Sequence, residues 1–495
     1  MFTNRLFLSS AVLLSLFGAI ACSNEENANV PTTPTTDVVL KNQSVTPVLA
    51  KKQAGFENLE IYPLISSDDK LEQSPNYIFG GSADGQGILK NTDGTYTLLV
   101  NNEDNFAVSR LTLDKTFKPV KGEYLLNSDG GQWRLCSATM ATPEVHGFGP
   151  TFLTCGESGE ESRTHAINPR GDVGVAGISK EVAGLGRWSA ENAVPLPKAA
   201  FSGKTVVVIG DDDSGANAGQ VAMYVSNTVG DLDNGTLYML KRTDGNQKEM
   251  DMKAGTKYPV EFAKIENHKT LTGAQINAKV NDLKAIKFGR VEDVDYGKGS
   301  DAAKAREVYF NVTGQANSGA NADYSRSKYG RVYKLTLDAA DPTKGSLEVL
   351  LDGDDRTGVA KTFQNVDNIT VTENYAYLQE DPNEYGDETH DAYVYQYNLK
   401  TGDLKPVLMM DHRRDETDAA KYNAGGASKR GSWEFSGLID ISDVIGVPNT
   451  FSLGIQPHTW VDDKYKGVDG GAKRNITDNS ARQGSQIVII KGLPR

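Results

Sequence analysis

Short apolar runs, rather than long ones, dominate the hydrophobic pattern of this chain. Runs rich in Val, Tyr, Thr and Phe recur between turn residues, for example at 96–113 and 206–225. Runs of this kind, bounded by Gly, Asn and Asp, are typical of antiparallel β-strands. Apolar residues at a convincing helical spacing occur at 274–287. The pattern therefore predicts an all-β chain with a small helical insertion.

The same strand unit repeats along the chain. Each unit has an apolar strand, a polar tip, a loop and a second strand. Six tips can be identified, at Glu103, Cys155, Asp211, Thr313, Glu380 and Gln456. The interval between the third and fourth tips is the longest, which places the helical insertion in the fourth repeat. Six such units predict a six-bladed β-propeller, which closes radially and leaves few exposed edges. A pair of β-sandwiches is the alternative fold.

A second polar residue precedes each tip. These residues are Asp84, Cys136, Glu191, Glu292, Asp367 and Glu434. If each one opens the innermost strand of its blade, radial repetition brings five carboxylates and one thiol to a common axis. Like charges at that density are unfavourable unless cations are bound among them. The series therefore predicts a metal site at the axial mouth. The alternative is that these acids simply cap turns.

The N-terminus has the pattern of an export signal. Arg5 precedes an apolar run at 6–21, which is shorter than the roughly 20 residues that span a bilayer as a helix. The run ends in small residues before Cys22. This layout predicts a lipoprotein signal peptide at 1–21 and lipidation at Cys22. An ordinary signal peptide cut after Ala21 is the alternative.

The rest of the chain divides into a tether and a body. Residues 22–50 are polar and rich in Pro and Thr, which predicts a flexible tether, and 51–495 form the predicted propeller domain. We expect an exported monomer, anchored to a membrane only through its lipid, at an outer-membrane, periplasmic or cell-surface face.

Charge narrows the range of partners. The formal net charge is −13, and the Lys and Arg residues form no run. Binding to a phosphate backbone needs clustered cations, so the composition argues against a nucleic-acid partner. A small phosphate-bearing ligand would need a local positive centre.

Cysteine is scarce, with three in the chain. Besides Cys22 there are Cys136 and Cys155, and in an oxidising compartment a disulfide between them is the ordinary expectation. Cys155 is followed by acidic residues, beginning with Glu157. A thiolate that binds a metal is the other interpretation, and the residues alone leave both open.

Ordered short motifs cover most of the chain after the tether. They are L-V-N-N-E (99–103), F-L-T-C-G-E (152–157), G-L-G-R-W-S-A-E-N (184–192), V-I-G-D-D-D-S-G (208–215), G-R-V-E-D-V (289–294), V-Y-F-N-V-T (308–313), V-D-N-I (366–369), L-Q-E-D (378–381), W-E-F-S-G (433–437) and I-Q-P-H (455–458). In this order they resemble the motifs of the PhoX-type alkaline phosphatases. That family has a six-bladed propeller whose axial mouth holds iron and calcium. The chain departs from the family pattern at Asn102, Gly156 and Ala190.

The resemblance implies a set of metal ligands. Cys155 would be a thiolate ligand of iron, since soft thiolate suits iron while carboxylates suit calcium. The implied carboxylate ligands are Glu103, Glu157, Glu191, Glu292, Glu380 and Glu434, with Asp211, Asp212 and Asp293 as further candidates. The expected cofactors are therefore calcium and iron.

The activity that the resemblance implies is metal-dependent hydrolysis of phosphate monoesters, with a small phosphate ester as the partner. Arg187 and Arg290 shortly precede Glu191 and Glu292 and would orient the phosphate as catalytic residues, although a structural salt bridge is the alternative role. Two other functions fit the same sequence. One is a non-catalytic, calcium-binding surface propeller that binds glycans or protein partners. The other is a calcium-dependent lactonase or phytase-like hydrolase.

Overall fold

Antiparallel strands account for most of the regular structure in residues 37–173, 180–474 and 477–495, which the computed structural model describes. The first thirteen strands are β1 (Ala50–Lys52), β2 (Glu60–Ser66), β3 (Ala83–Lys90), β4 (Tyr96–Asn102), β5 (Ala107–Leu113), β6 (Pro119–Leu126), β7 (Leu135–Ala141), β8 (Thr151–Gly156), β9 (Thr164–Ile167), β10 (Ala190–Pro195), β11 (Thr205–Asp211), β12 (Gln220–Ser226) and β13 (Thr236–Arg242). The remaining strands are β14 (Lys257–Lys264), β15 (Val291–Tyr296), β16 (Glu307–Val312), β17 (Arg331–Leu337), β18 (Lys344–Asp352), β19 (Val366–Val371), β20 (Tyr375–Glu380), β21 (Tyr393–Asn398), β22 (Leu404–Met410), β23 (Glu434–Asp440), β24 (Thr450–Gln456) and β25 (Gln486–Lys491). The α-helices in the same residues are α1 (Ser128–Gly131), α2 (Pro143–His146), α3 (Gly273–Leu283), α4 (Ala419–Tyr422) and α5 (Ser442–Ile445).

The strands of the described residues form five sheets in a propeller-like arrangement. Four sheets are blades of three to five strands: β3–β6, β7–β9, β19–β22 with β1, and β23–β25 with β2. The fifth is a single nine-stranded sheet, β10-β11-β12-β13-β14-β18-β17-β16-β15. Its edge strands, β10 and β15, lie against each other, so the sheet nearly closes into a barrel around an apolar core.

The prediction of an all-β, propeller-like fold with few helices is confirmed, but the count of six blades is wrong. The fold has four blades and one nearly closed barrel. The reason is β14, which lies in the long interval between the third and fourth predicted tips and pairs with both β13 and β18. Hydrogen bonding through β14 joins the third and fourth repeats into one sheet. The helical part of the insertion forms α3, close to the predicted segment at 274–287.

Burial explains why the inner and outer strands have different sequences. All seven residues of β11 are buried, and its sequence is nearly continuous apolar residues. β17, farther from the axis, buries its first three residues and then alternates half-buried and buried residues along K-L-T-L. A strand buried on both faces gains from apolar residues at every position, whereas a strand with one wet face gains at alternate ones.

Six inner strands surround the axis: β3, β7, β10, β15, β19 and β23. Each contacts the next, and β23 contacts β3, so the ring is closed. Glycine permits this close approach at two places. A Cβ on Gly85 would lie 2.3 Å from the backbone nitrogen of Ala138, and one on Gly210 would lie 2.2 Å from the carbonyl oxygen of Glu292. Near the termini, β2 pairs with β25 and completes the last blade.

The described part of the predicted tether packs against the body. Leu49 is fully buried, Val38 and Leu40 lie against an apolar core, and β1 begins at Ala50. The packed domain therefore begins upstream of the predicted boundary at residue 51. Residues 1–36 lie outside the described residues, so the signal peptide and the lipidation of Cys22 stay predictions.

No helix within the described residues is long and apolar enough to cross a membrane.

Candidate metal centre

Every inner strand has, as its first or second residue, one of the polar residues that the repeat pattern identified. They are Asp84 in β3, Cys136 in β7, Glu191 in β10, Glu292 in β15, Asp367 in β19 and Glu434 in β23. The pairing of each inner strand with the next strand of its hairpin is interrupted by a β-bulge at or shortly after this residue. A bulge adds one residue to a strand and re-aims its side chains. The repeated bulges thus help these side chains to converge at one end of the ring.

Nine acidic or thiol residues converge there, and we call them the axial cluster. Besides the six residues that open the inner strands, it contains Glu103, Glu157 and Asp212, which directly follow β4, β8 and β11. Within each of five overlapping groups, the ligand atoms lie within 4.8 Å of one another. The groups are Asp84–Cys136–Glu191, Glu103–Cys136–Glu157, Asp84–Glu103–Glu434, Glu157–Asp212–Glu292 and Glu191–Glu292–Asp367.

The axial cluster carries more acid than its neighbours can neutralise. Burial first, and then repulsion from neighbouring carboxylates, raises the pKa of Asp84, Asp367 and Glu434, and raises that of Glu191 to about 8. Asp84 Oδ1 and Asp367 Oδ1 are buried without a hydrogen-bond partner among the described residues. Buried carboxylates of this kind are costly unless a positive charge accompanies them.

Within the part of the chain that the structure describes, two arginines contact the axial cluster, and one of them is Arg290. Its Nε and Nη2 donate to the two carboxylate oxygens of Asp212 at 2.6 and 3.0 Å, and Nη2 lies 2.7 Å from Glu292 Oε1. Its backbone φ is +71°, a conformation that side-chain-bearing residues adopt at an energetic cost. The chain thus accepts strain in placing this guanidinium between two cluster carboxylates.

Arg134 is the second arginine, and the sequence analysis missed it. Its Nε lies 3.1 Å from Glu103 Oε1, and its Nη2 lies 3.4 Å from Asp104 Oδ1. Arg134 precedes Cys136 by two positions, as Arg290 precedes Glu292. That shared offset is the signal that could have identified it.

The thiol that the structure places in the axial cluster is that of Cys136, whereas Cys155, which the resemblance implies as a metal ligand, lies elsewhere. Cys136 Sγ donates to Glu157 Oε2 at 3.1 Å, and burial followed by the charges of Glu103 and Glu157 raises the pKa of this thiol. Cys155 is fully buried in an apolar core and lies 3.3 Å from Thr164 Oγ1. Both are free thiols, so the expected disulfide between them is absent from the described residues.

Two predicted ligands, Asp211 and Glu380, lie outside the axial cluster, although Asp212, the other candidate at the first position, belongs to it. The cluster contains Asp212 rather than Asp211. Glu380 accepts hydrogen bonds from the backbone nitrogens of Gln364 and Tyr393 at 2.7 and 2.8 Å, and it also pairs with a histidine. After burial, the charge of Asp381 is the next cause that raises the pKa of Glu434. Asp381, the residue after Glu380, therefore lies near the cluster. Neighbouring residues of a strand point to opposite faces, so one position decides whether a side chain reaches the axis.

Asp293 and Arg187 also have roles outside the cluster. Asp293 accepts hydrogen bonds from Asn192 Nδ2 at 2.6 Å and from the backbone nitrogens of Val294 and Ile369 at 2.7 and 3.0 Å, so it ties β10, β15 and β19 together. Arg187 Nη1 lies 3.3 Å from Glu161 Oε2 and donates to the carbonyl oxygen of the same residue at 3.1 Å. Arg187 therefore has the salt-bridge role that the sequence offered as its alternative.

The departures from the family pattern at Asn102, Gly156 and Ala190 lie outside the cluster. Asn102 Nδ2 donates to the carbonyl oxygen of Gly80 at 3.0 Å. A Cβ on Gly156 would lie 2.7 Å from that of Trp133, and Ala190 belongs to an apolar core. None of the three departures removes one of the nine side chains of the axial cluster.

The donor set fits calcium together with a softer metal. Calcium takes six to eight oxygen ligands and accepts irregular geometry, which a ring of carboxylates can supply. Thiolate favours softer metals such as iron. The unpaired oxygens of Asp84 and Asp367 indicate that the cluster is built for bound cations.

The metal-free protein is expected to lose stability as the pH rises. The pKa of Glu191 is raised from 4.5 to about 8, so between these values the folded chain binds more protons than the unfolded chain. The free energy of unfolding then falls with rising pH, and this loss is absent below the ordinary pKa of glutamate. The measurement is Tm in a chelator between about pH 5 and pH 8.5. Metal-loaded protein should show less of this dependence, and a Tm that rises with pH in the chelator would contradict the expectation.

Comparison with known proteins adds a family and a fold. The sequence profile of the family described as "Alkaline phosphatase PhoX" matches residues 174–439. The solved structure of PhoX from Pseudomonas fluorescens in complex with vanadate, a transition state analogue, matches with a TM-score of 0.58 at 15% identity, over 91% of this chain and 98% of that one. At this identity the match supports the fold. A search of curated proteins found no match.

Two glycosidases are more distant. A GH43 β-1,3-galactosidase with galactodeoxynojirimycin matches with a TM-score of 0.34 at 9% identity, over 87% of this chain and 99% of that one. The α-L-arabinofuranosidase Arb93A from Fusarium graminearum, with an iminosugar inhibitor, matches with a TM-score of 0.35 at 10% identity, over 82% of this chain and 92% of that one.

Proposed function

Because this chain belongs to the PhoX family of alkaline phosphatases, we propose that it hydrolyses phosphate monoesters with the help of metal ions held in the axial cluster. The observation that carries the proposal is the convergence of eight carboxylates and one thiol beside Arg290. The vanadate complex of the Pseudomonas fluorescens protein agrees with it, since vanadate is named there as a transition state analogue.

The metal ligands in this proposal are the nine residues of the axial cluster, with Cys136 in place of Cys155. When bound, calcium and iron would neutralise charge on the phosphoryl oxygens and lower the pKa of water. The cluster carboxylates hold these cations, and they also repel a phosphate dianion when the cations are absent. Substrate binding therefore depends on the metals.

Arg290 is the residue that we assign to phosphate orientation. Phosphoryl transfer depends mainly on positioning and on charge neutralisation. Asp212, Glu292 and Asn383 take four of the five N–H donors of this guanidinium. Arg290 would therefore offer a phosphoryl oxygen one direct N–H donor together with its positive charge. The side chain of Arg290 keeps 19% of its surface exposed. Asn383 Oδ1 accepts from its Nη1 at 2.9 Å, and Asp212 fixes the opposite edge. Arg134 is more exposed, and we place it at the rim of the mouth, where it favours the approach of an anion.

The test is metal analysis and phosphatase assay on one sample, purified without chelator. We expect calcium, iron and hydrolysis of p-nitrophenyl phosphate at alkaline pH. Removal of metal with a chelator should abolish turnover, and return of both metals should restore it. The chelated sample must keep its far-UV circular dichroism spectrum, so that a loss of turnover reports the metal site rather than unfolding.

Two results would replace the proposal with the alternatives given by the sequence. Calcium without turnover on any phosphate ester would favour a propeller that binds glycans or proteins. Hydrolysis of lactones but not phosphate esters would favour a lactonase.

A further inference from the structure

A second group of oxygen atoms lies beside the axial cluster but outside it. Asp211 is the last residue of β11, and its side chain is not part of the group that Asp212 forms with Glu157 and Glu292. Near Asp211 are residues of three other segments, and we call the set the α3 site. It consists of Glu160 after β8, Asp211 and Asp213 at the end of β11, Gln220 in β12 and Asn277 in α3.

Several buried oxygens of the α3 site lack hydrogen-bond donors. Asp211 is 0% exposed, and neither of its carboxylate oxygens has a well-aligned hydrogen-bond partner among the described residues, although the backbone N–H of Ser189 lies close enough to stabilise the carboxylate. Gln220 lies directly across the ladder from Asp211 and is also 0% exposed. Its Nε2 donates to the carbonyl oxygens of 217, 218 and 219, while its Oε1 has no partner in the described chain.

Asn277 connects the remaining members of the site. It is 1% exposed, and its Nδ2 donates both to Glu160 Oε2 at 3.0 Å and to Asp213 Oδ2 at 3.1 Å. Its Oδ1 has no partner among the described residues. Half a turn of this amide would exchange the two atoms, so that an oxygen would face both carboxylates.

None of the three acids of the site forms an ion pair within the described residues. Asp211 and Asp213 are two residues apart at the end of β11, and Asn277 joins Asp213 to Glu160. Arg326 lies close enough to Asp213 for their charges to interact, but its guanidinium donates to loop carbonyls, including that of Gly215 at 2.8 Å. A buried carboxylate with neither a hydrogen-bond donor nor an ion-pair partner is costly, and such groups in proteins usually have a ligand.

We propose that the α3 site binds one calcium ion, separate from the metals of the axial cluster. Every candidate ligand atom is a carboxylate or amide oxygen, and such oxygens are the ligands that calcium takes. No thiol or imidazole belongs to the set, so it does not favour a softer metal. The bound ion would join α3 to the loop after β8 and to the loop after β11.

The test uses the double variant Glu160→Gln with Asp213→Asn, at two partly exposed loop positions, and the probe is calcium chloride alone. We expect the variant to hold one calcium fewer per chain after dialysis, and calcium to raise its Tm by several degrees less than that of the wild type. Iron content and turnover of an aryl phosphate should stay within about twofold of the wild type, because these residues do not belong to the axial cluster. Asp282→Asn, an exposed acid on the same helix, is the matched control and should bind calcium like the wild type.

A second variant keeps the test decisive if the first one folds poorly. Asp211→Asn removes a buried charge without changing shape, so we expect a Tm in chelator at least as high as that of the wild type, together with the loss of one calcium. A wild-type calcium count in either variant would overturn the proposal, as would the loss of iron along with calcium. Both readouts are independent of phosphatase activity, so the inference can fail while the proposed function stands.

Discussion

Replacing Glu292 by Gln is expected to lower the hydrolysis of p-nitrophenyl phosphate by at least about 100-fold, the scale expected when a charged group at a reaction centre is removed. Glu292 belongs to two of the five groups of the axial cluster and contacts Arg290 at 2.7 Å. Its loss weakens metal binding and frees one side of the arginine. The measurements are kcat/KM and metal content on the same preparation.

The same variant should fold at least as well as the wild type when metal is absent. Burial raises the pKa of Glu292 well above its ordinary value, and repulsion from Asp212 and Asp367 adds to this, while Arg290 opposes it. A neutral amide removes the repulsion and keeps the shape. A Tm in chelator equal to or above that of the wild type, with activity lost, separates a metal ligand from a residue needed for folding.

Glu380→Gln is the matched control, since Glu380 is also a buried glutamate at a strand end that the sequence predicted as a ligand. Its carboxylate accepts from Gln364 and Tyr393 rather than facing the axis. We expect a lower Tm with activity within about tenfold of the wild type, because lost hydrogen bonds cost stability rather than chemistry. Equal losses of activity in the two variants would contradict the assignment of the cluster.

The sequence predicted where along the chain the site lies better than it predicted which side chains face it. The residues that open the inner strands, such as Asp84 and Asp367, follow from counting repeats. The choice between Asp211 and Asp212 does not, because neighbours in a strand face opposite sides and a bulge changes that alternation. The motif sequences do not show where a bulge occurs, so they cannot predict which of two neighbouring residues points toward the axis.

The fold shows a similar limit. The strand pattern predicted the hairpins around the axis, because each hairpin is local in sequence. It did not predict that Lys257–Lys264 would pair with Lys344–Asp352 and join two repeats. Pairing between strands that far apart depends on how the whole ring packs, and the residues of the two strands do not reveal it.

The two thiols offer the sharpest test of the corrected site. Cys136→Ser is expected to lose iron and to lower turnover by at least about 100-fold, because even the loss of a group that only supports a ligand costs up to that much. The thiol of Cys136 belongs to two of the five ligand groups of the axial cluster. A serine hydroxyl does not replace a soft thiolate. Metal content per chain, measured with kcat on the same sample, reports both effects.

Cys155→Ser makes the same atomic change in an apolar core, so it is the natural control. Its new hydroxyl is shorter than the thiol whose Sγ now lies 3.3 Å from Thr164 Oγ1, so that contact lengthens, and burying the hydroxyl should cost about 1–3 kcal/mol of unfolding free energy. We expect a lower Tm with unchanged iron, calcium and turnover per folded chain. If Cys155→Ser lost iron while Cys136→Ser kept it, the thiol of the metal centre would be the one that the family resemblance implies, and the ligand set drawn from the structure would be wrong. Loss of iron from Cys136→Ser alone would mean that the six-fold series of strand-opening residues, and not the motif around Cys155, marks the thiol ligand of this site.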